Sequence, residues 1–315
     1  MVPEPAGPSF ETPLTRLLRM RAEESSAGGK GRKVTGITVF ETVAAMREAV
    51  AGWHAAGEKV ALVPTMGALH EGHIALVSEG QRHAKRVIVT IFVNPTQFAP
   101  HEDFKKYPRT FDDDCAKLVA AGADAVFFPS VEEMYPAGFA TRVLLLGPAA
   151  VGLEDRFRPT HFEGVATVCC KLFTQSRADC AIFGEKDYQQ LKVVTRMAAD
   201  LDLGIRIIPL ATIREADGLA MSSRNRYLSN EHRALAPLLQ RVMQDLAARI
   251  RNRDDLFKAV ADAQNEIITA GFELDYLEAR HAETLAPVAS LADGPIRLIL
   301  AARIGSTRLL DNIAV

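Results

Sequence analysis

The stretch KVALVPTMGALHEGH stands at residues 59–73 and decides how the neighbouring sequence is interpreted. Its first half is uniformly apolar rather than alternating, which is typical of a strand buried on both faces of a parallel sheet. Pro64 stops this run, and the second half combines glycines with two histidines. A helix is predicted to begin near His73. The stretch therefore predicts a strand, a tight loop and a helix, the repeating unit of an α/β fold.

Strands and helices alternate in the same way up to about residue 213. Strands are predicted at 59–64, 86–95, 124–129, 180–184 and 205–211, and helices at 74–84, 112–122, 164–176 and 187–201. Capping-box spacing, Thr38 to Glu41 and Thr160 to Glu163, is predicted to begin two helices, the first of which ends at Gly57. These units predict a doubly wound, Rossmann-like α/β domain over residues 34–213. Ligands of such a sheet bind at the carboxyl ends of its strands.

A different pattern begins near residue 214 and predicts a smaller α+β domain over residues 214–315. Helices near 230–251 and 254–270 precede strands at 274–280 and 296–303, with a possible third strand at 307–315. The polar segment 216–229 is interpreted either as a connector or as a loop of the active site. Residues 1–33 are rich in Pro, Gly and small polar side chains, so they are predicted to form a flexible extension outside the fold.

The composition excludes several classes of protein. Apolar residues make up 48% and charged residues 24%, as in ordinary globular proteins. A net charge of −2 gives no general attraction to nucleic acid or to anionic membranes. No apolar run approaches the roughly 20 residues of a membrane helix. The four cysteines (Cys115, Cys169, Cys170 and Cys180) lack CxxC spacing, so we expect small buried apolar groups in a reducing cytosol.

The loop at 64–73 carries the first candidate site. Gly67 and Gly72 allow the backbone to approach a ligand closely, and the predicted helix start presents N–H groups to an anion. His70 and His73 can donate hydrogen bonds to phosphate oxygens, which predicts nucleotide chemistry without a P-loop. Two alternatives stay open. The histidines could bind zinc, although HEGH lacks the HExxH spacing, or they could have only a structural role.

A second candidate loop lies in FGEKDYQQL, at residues 183–191. Gly184 follows a strand and permits a tight turn. Lys186 is a mobile cation suited to phosphate, and Asp187 could orient a ribose hydroxyl, a lysine or a metal ion. The alternative is a solvated turn in which Asp187 caps the next helix.

The third candidate loop is MSSRNRYLS, at residues 221–229. The hydroxyls of Ser222 and Ser223 stand beside the guanidinium of Arg224, a combination that suits the oxygens of a triphosphate. Alone, such a stretch is more often a flexible linker. Its coexistence with the other two loops favours binding.

Uncharged amides and aspartates complete the candidates. Gln97, in FVNPTQF, and Gln190 could hold a small polar substrate, or could make structural hydrogen bonds instead. Asp113 and Asp114 suggest a magnesium site, but acidic residues at a helix start also complement the helix dipole. Lys117, one helical turn later, is a cation and disfavours a metal ion there.

Six motifs, in their order and spacing, carry a resemblance that no single motif would. They are VPTMGALHEGH, FVNPTQF, YPRT, RPTHFEGV, FGEKDYQQL and DGLAMSSRNRYLS. From about residue 36 to residue 315 the chain resembles the pantoate–β-alanine ligase family. The resemblance implies a cytoplasmic homodimer that condenses (R)-pantoate with β-alanine through an enzyme-bound pantoyl adenylate, using ATP with Mg²⁺. The HxGH signature alone would permit an alternative, a nucleotidyltransferase acting on another small substrate.

The resemblance also implies roles for individual residues. The ATP site would consist of Met66, Gly67, Ala68, Leu69, His70, Glu71, Gly72, His73, Gly184, Glu185, Lys186, Asp187, Ile213, Met221, Ser222, Ser223 and Arg224. His73 would be the assigned catalytic residue, and His70, Lys186 and Arg224 would take part in catalysis with it through contacts with the phosphates. Gln97 and Gln190 would bind pantoate and β-alanine. The resemblance assigns no side chain to Mg²⁺. Asp113 and Asp114 are the candidates that the sequence offers.

Two expectations concern larger movements and assembly. The loop that carries Ser222 and Arg224, at the edge of the C-terminal domain, would act as a lid over the nucleotide. Enclosing the adenylate would protect it from water. A predicted strand in FATRVLLLG, at residues 139–147, would offer an apolar edge to a second copy of the chain.

Overall fold

The computed structural model of the chain describes residues 31–98, 104 and 107–315. Within these residues a seven-stranded sheet and a three-stranded sheet organise the fold. The predicted extension at 1–33 lies outside the described residues up to residue 30. The first strand already begins at Arg32.

The larger sheet is mostly parallel. Its strands are β1 (Arg32–Val34), β2 (Ile37–Phe40), β3 (Val60–Thr65), β4 (Arg86–Ile91), β5 (Ala125–Phe127), β6 (Cys180–Gly184) and β7 (Arg206–Leu210). Their order across the sheet is β1-β2-β5-β4-β3-β6-β7. β1 is antiparallel to β2, and the other neighbouring strands are parallel. The doubly wound α/β architecture predicted from the alternating pattern is confirmed.

Helices cover both faces of this sheet. Successive residues of a strand point to opposite faces, so uniformly apolar strands make both faces apolar. The helices are α1 (Val43–Ala55), α2 (Glu71–His83), α3 (Phe111–Ala120), α4 (Val131–Met134), α5 (Glu154–Phe157), α6 (His161–Ser176) and α7 (Tyr188–Asp200). In β3, Val60 and Leu62 pack into the core with α1, α6 and α7. Ala61 and Val63 pack into the opposite core with α2 and α3. Burial on both faces explains why this strand is uniformly apolar.

The C-terminal part has its own core. Its elements are α8 (Asn230–Leu235), α9 (Leu238–Arg251), α10 (Leu256–Thr269), β8 (Glu273–His281), β9 (Ile296–Ile304) and β10 (Thr307–Ala314). The strands form an antiparallel sheet in the order β10-β9-β8, so the possible third strand is confirmed. Met243 of α9 and Leu298 of β9 are fully buried in the apolar cluster that joins the helices to this sheet.

Both predicted capping boxes were wrong. Thr38 and Glu41 do not begin a helix, because residues Ile37–Phe40 form β2 and pair with β5 in the sheet. The first helix begins after Thr42, whose hydroxyl accepts the N–H of Ala45 (3.2 Å). α6 does begin after Thr160, but the Thr160 side chain makes no capping hydrogen bond.

Two further predictions need correction. Residues 139–147 form no strand, and the side chains there divide between the two environments: Leu144 is 75% exposed, whereas Leu145 packs against the core. The helix predicted at 230–251 is two helices, α8 and α9, separated near Pro237.

In the described part of the chain no helix has the length and apolar character to span a membrane.

Candidate functional site

The larger sheet reverses its strand order beside β3. From β3 the chain builds outward through β4 and β5, then crosses to the other side of β3 to add β6 and β7. β3 pairs with β6 at Ala61 and Leu62, near the start of β3. Beyond these pairs, Thr65 and Gly184 line a pocket at the carboxyl ends of the two strands. Ligands of doubly wound sheets bind at such a reversal point.

The pocket brings together most of the residues that the sequence predicted. Of the predicted residues, it is lined by Met66, His70, Gly72, His73, Gln97, Gly184, Lys186, Asp187, Gln190, Ile213, Met221, Ser222, Ser223 and Arg224. A second, adjoining cleft shares Met66, Gln97, Lys186, Asp187, Gln190 and Arg224 with the first. The two clefts are therefore continuous.

The remaining predicted residues do not line these clefts. Gly67, Ala68 and Leu69 are buried within the loop. Glu71 is exposed at the first turn of α2. Glu185 points to the C-terminal sheet, where its carboxylate pairs with Arg297 (2.9 Å). Gly67, Ala68, Leu69 and Glu185 therefore shape or anchor the loops.

An unusual turn directs the two histidines into the pocket. Gly67 and Ala68 both have positive φ, +86° and +53°, a conformation that is unfavourable for a residue with a Cβ atom. The carboxylate of Asp114 holds this turn, because it accepts the N–H of Ala68 (2.9 Å) and the N–H of Leu69 (2.8 Å). Lys117 donates to the carbonyl oxygen of Leu69 (2.6 Å). Helix α3 therefore clamps the loop from below.

The clamp changes the interpretation of the aspartates. Asp114 is fully buried, and Thr110 donates a third hydrogen bond to it (3.1 Å), so its role is not that of a solvated charge at a helix start. Asp113 is exposed. Within the described ranges no group of three or more His, Cys, Asp or Glu side chains could hold a metal ion. The same observation leaves His70 and His73 without a third ligand for zinc among those residues.

The histidine pair has a defined hydrogen-bonding state. The Nδ1 atom of His70 accepts the N–H of Gly72 (3.2 Å), and the Nδ1 atom of His73 accepts the N–H of His70 (3.3 Å). An Nδ1 atom that accepts carries no proton, so each neutral ring has its proton on Nε2. The ring centroids are 4.1 Å apart. Each imidazole therefore offers one Nε2–H donor within the pocket lining.

Burial and neighbouring positive charges keep both rings neutral. Burial, followed by the charge of Lys186, lowers the pKa of His70 to about 4. Burial, followed by His70 and Lys186, lowers the pKa of His73 to about 3. Both values lie far below neutral pH. The histidines are hydrogen-bond donors there and do not carry a positive charge.

The C-terminal sheet positions the second loop. Asn312 of β10 donates to the carbonyl oxygens of Glu185 (2.8 Å) and Lys186 (2.9 Å). Arg297 of β9 donates to Asn312 (2.7 Å) and pairs with Glu185. Asp187 precedes α7 but makes no side-chain capping bond, and its carboxylate lies 3.5 Å from the Lys186 ammonium. The loop thus presents Lys186 and Asp187 to the pocket.

The third loop is anchored at its start. Arg214 makes two hydrogen bonds to the buried carboxylate of Asp311, at 2.7 and 2.8 Å. The N–H of Met221 donates to the carbonyl oxygen of Ile213 (3.0 Å), which closes the intervening segment on itself. The segment then places Arg224 at the pocket. Of the two interpretations of residues 216–229, these contacts favour a loop of the site.

Several lining residues were not selected from the sequence. They include Thr65, Thr90, Phe92, Tyr107, Val165, Val168, Leu172 and Thr212. Four of them lie in the six motifs, so a signal existed for them: Thr65 in VPTMGALHEGH, Phe92 in FVNPTQF, Tyr107 in YPRT and Val165 in RPTHFEGV. The hydroxyl oxygen of Thr212 is buried and has no hydrogen-bond partner among the described residues. Cys169 also lines the pocket, where burial raises the pKa of its thiol to about 12 and keeps it neutral.

Comparison with known sequences shows which proteins the chain is similar to. Residues 38–314 match the family model described as pantoate–β-alanine ligase. A pantothenate synthetase of Nitrobacter hamburgensis is 62% identical over 277 residues, which cover 88% of this chain and 98% of that relative. A pantothenate synthetase of Rhodopseudomonas palustris is 61% identical with the same coverage.

Solved structures agree with the sequence matches. The crystal structure of pantothenate synthetase from Thermus thermophilus superimposes with a TM-score of 0.81 at 44% identity, covering 87% of this chain and 98% of that one. A pantoate–β-alanine ligase from Francisella tularensis, complexed with β-γ ATP and β-alanine, gives a TM-score of 0.74 at 31% identity. It covers 88% of this chain and 97% of that chain.

Replacing the clamp carboxylate should destabilise the fold. In Asp114→Asn the amide can accept only one of the two backbone N–H groups, so one buried donor loses its partner at a cost of about 1–3 kcal/mol. Urea unfolding would measure the loss in the free energy of unfolding. Asp113→Asn, on the exposed side of the same helix, is the matched control and should be nearly neutral. Equal stability of the two variants would contradict the clamp.

The protonation state of the histidine pair can be observed directly. Nitrogen-detected NMR should show His70 and His73 as neutral Nε2–H tautomers from about pH 8 down to about pH 5, because their pKa values lie near 4 and 3. The variants His70→Asn and His73→Asn would assign the two sets of resonances. A titration of either ring near pH 6.5, the ordinary value for histidine, would refute the assigned state.

Proposed function

The chain belongs to the pantoate–β-alanine ligase family, and we propose that it joins (R)-pantoate to β-alanine at the expense of ATP. The products are pantothenate, AMP and diphosphate. The alternative, a nucleotidyltransferase acting on another small substrate, is not favoured, because curated relatives between 57% and 62% identical are named as pantothenate synthetases. Pantothenate is a precursor of coenzyme A, so the reaction is biosynthetic.

The proposed reaction has two steps. In the first, a carboxylate oxygen of pantoate attacks the α-phosphorus of ATP, the bond to the bridging oxygen breaks, and diphosphate leaves with that electron pair. In the second, the amino group of β-alanine attacks the acyl carbon of the adenylate, loses a proton, and AMP leaves. The carboxylate of pantoate is ionised at neutral pH. The first step therefore needs stabilisation of phosphate charge rather than a general base.

The state of the two histidines is the observation that carries this proposal. Because the Nδ1 atoms of His70 and His73 are occupied by backbone N–H groups, each ring donates through Nε2. Donors fixed in this way stabilise charge that develops on the α-phosphate without reorganising during the reaction. Lys186 and Arg224, which line the same pocket, supply the positive charge for the phosphates.

The remaining proposed contacts follow the pocket lining. The nucleotide contacts proposed with those cations and the two imidazoles are Met66, Gly72, Gly184, Asp187, Ile213, Met221, Ser222 and Ser223. Gly67, Ala68, Leu69, Glu71 and Glu185 belong to the same loops without lining the pocket, so no direct contact is proposed for them. Gln97 and Gln190 would bind the hydroxyls and carboxylate of pantoate and, in the second step, β-alanine. The support for the two glutamines is that both line the first cleft and the second. Val165 and Leu172 supply an apolar wall.

The metal ion is proposed to arrive with the nucleotide. Mg²⁺ is commonly held by one or two carboxylates together with substrate phosphates and water. Asp187 is the carboxylate that lines the pocket beside Lys186. Asp114, in contrast, is occupied by the clamp. We therefore assign Mg²⁺ chiefly to the phosphates of ATP.

We also propose the assembly, the compartment and the movement of the protein. It would act as a cytoplasmic homodimer, with the exposed side chains of Leu144 and Leu146 (75% and 79%) available to the second copy. A monomer mass by light scattering at all concentrations would refute the dimer.

A C-terminal lid domain, residues 214–315, would close on the ATP- and pantoate-binding domain, residues 34–213. Equal proteolysis near Ser222 with and without ATP would refute the lid.

An assay of AMP release tests the proposed function. With ATP and Mg²⁺, steady AMP formation should require both pantoate and β-alanine. His73→Ala should lower kcat by about 100- to 1000-fold, as expected for the loss of one fixed donor to a transition state. His83→Ala, at the other end of α2, is the matched control and should retain activity. Steady turnover that does not need β-alanine would overturn the substrate assignment.

A further inference from the structure

In the motif RPTHFEGV, residues 158–165, only Val165 has a role in the reaction as proposed so far. Arg158 directly follows the short helix α5, and His161 begins α6. The segment lies against the short 3-10 turn Pro95–Gln97, which carries the glutamine assigned to pantoate. This contact either only packs the two segments together or also sets the position of Gln97.

Two side chains of the motif bind one backbone atom. The Nη2 atom of Arg158 donates to the carbonyl oxygen of Gln97 (3.1 Å), and Nδ1 of His161 lies 3.1 Å from the same oxygen. The Nη1 atom of Arg158 is 3.3 Å from Nε2 of His161. A guanidinium can only donate, so Nε2 accepts and the ring proton of His161 is on Nδ1. The Gln97 carbonyl therefore receives two directed hydrogen bonds.

The backbone of the turn also lies directly on the helix. A Cβ atom placed on Gly164 would overlap the carbonyl oxygen of Thr96 and would lie 2.9 Å from the N–H nitrogen of Gln97. Only glycine permits this approach. Asn94 closes the arrangement, because its amide donates to the carbonyl oxygen of Gly164 (3.2 Å) and to Oε1 of Gln97 (2.9 Å). Both the backbone and the side chain of Gln97 are thus fixed.

Arg158 is held in turn by a buried carboxylate. Glu154 is 5% exposed and accepts from Arg158 (3.2 Å) and from Arg308 of β10 (2.7 Å). Burial alone would raise the pKa of Glu154, but the two guanidinium groups lower it, so the carboxylate stays charged. The position of Gln97 is therefore connected through Arg158 and Glu154 to the C-terminal sheet.

We propose that Arg158, His161 and Gly164 are positioning residues that fix the amide of Gln97 for the hydroxy acid substrate. The inference rests on the proposed function, because it takes Gln97 as the residue that binds pantoate. The three residues act through the turn Pro95–Gln97. Displacing that turn weakens use of the acid and leaves the nucleotide loops in place.

The first test moves the turn by a single methyl group. In Gly164→Ala the turn must shift by about 1 Å, a displacement that can cost about 100-fold in catalysis, so kcat/KM for pantoate should fall by about that factor. The KM for ATP should stay within about twofold, because the lost contact is specific to one substrate. Gly52→Ala is the matched control, since Gly52 lies inside α1 with open space around its Cβ position. It should leave both KM values unchanged.

A matched pair of substitutions at His161 separates positioning from packing. Asn places an amide N–H where Nδ1 stands, whereas Leu has the same shape without a donor. His161→Asn should keep the KM for pantoate within about threefold of the native value, and His161→Leu should raise it about tenfold or more. This pair also decides the question if Gly164→Ala does not fold.

The outcomes distinguish this proposal from the proposed function. If wild type shows pantoate-dependent AMP formation but Gly164→Ala leaves kcat/KM for pantoate unchanged and His161→Leu leaves the KM for pantoate unchanged, the positioning role is overturned and the function stands. The same holds if both His161 variants lose thermal stability equally and retain the native KM. If wild type makes no pantoate-dependent AMP, the proposed function itself fails.

Discussion

The geometry of the site depends on one buried carboxylate beneath a strained turn. Asp114 accepts both N–H groups of the residues that follow Gly67, and this compensates for two consecutive residues with positive φ. The turn reverses the chain between β3 and α2, and it sets where His70 and His73 stand at the reversal point of the sheet. A buried carboxylate is costly unless its oxygens are satisfied, and here backbone donors satisfy them. The clamp therefore links the stability of the fold to the position of the reactive groups.

The same pocket separates positive charge from neutral donors. Under the proposed function Lys186 and Arg224, which line the pocket, would supply charge for phosphate, whereas burial and the nearby ammonium group keep His70 and His73 neutral. A neutral imidazole donates a hydrogen bond without adding a further cation to be desolvated. The arrangement suits a reaction whose nucleophile is already an anion, because fixed donors stabilise charge that passes to the α-phosphate.

Local sequence patterns predicted the parts of the structure that depend on neighbouring residues. The uniformly apolar β3 and its glycine-containing loop were identified because each leaves its mark on its own residues. Burial on both faces selects apolar residues in the strand, and a tight turn selects glycine in the loop. The capping box at Thr38 was wrong because pairing of β2 with β5 overrides the local helix signal. A strand in residues 139–147 was wrong because its apolar residues divide between core and solvent instead of pairing in a sheet. The six motifs correctly indicated the family, which the comparisons confirm.

The contacts that hold the site were not predictable in this way. Asp114 is distant in sequence from the turn it clamps, and Asn312 is distant from the loop that carries Lys186. Neither residue stands in a motif, and each acts on the backbone of another segment, so no pattern of residue types reveals it. The contact between Arg158 and the Gln97 carbonyl was predictable only in part. The motif that contains Arg158 could be recognised in the sequence, but the atom to which Arg158 donates could not.

The central claim is that the carboxylate of pantoate attacks the α-phosphate in this pocket. Oxygen-18 in the carboxylate of pantoate tests it most directly, with mass spectrometry of the products after a reaction with ATP and β-alanine. Attack on the α-phosphate predicts one labelled oxygen in AMP and none in diphosphate. Label in inorganic phosphate or diphosphate, with unlabelled AMP, would place the attack on another phosphate and contradict the account.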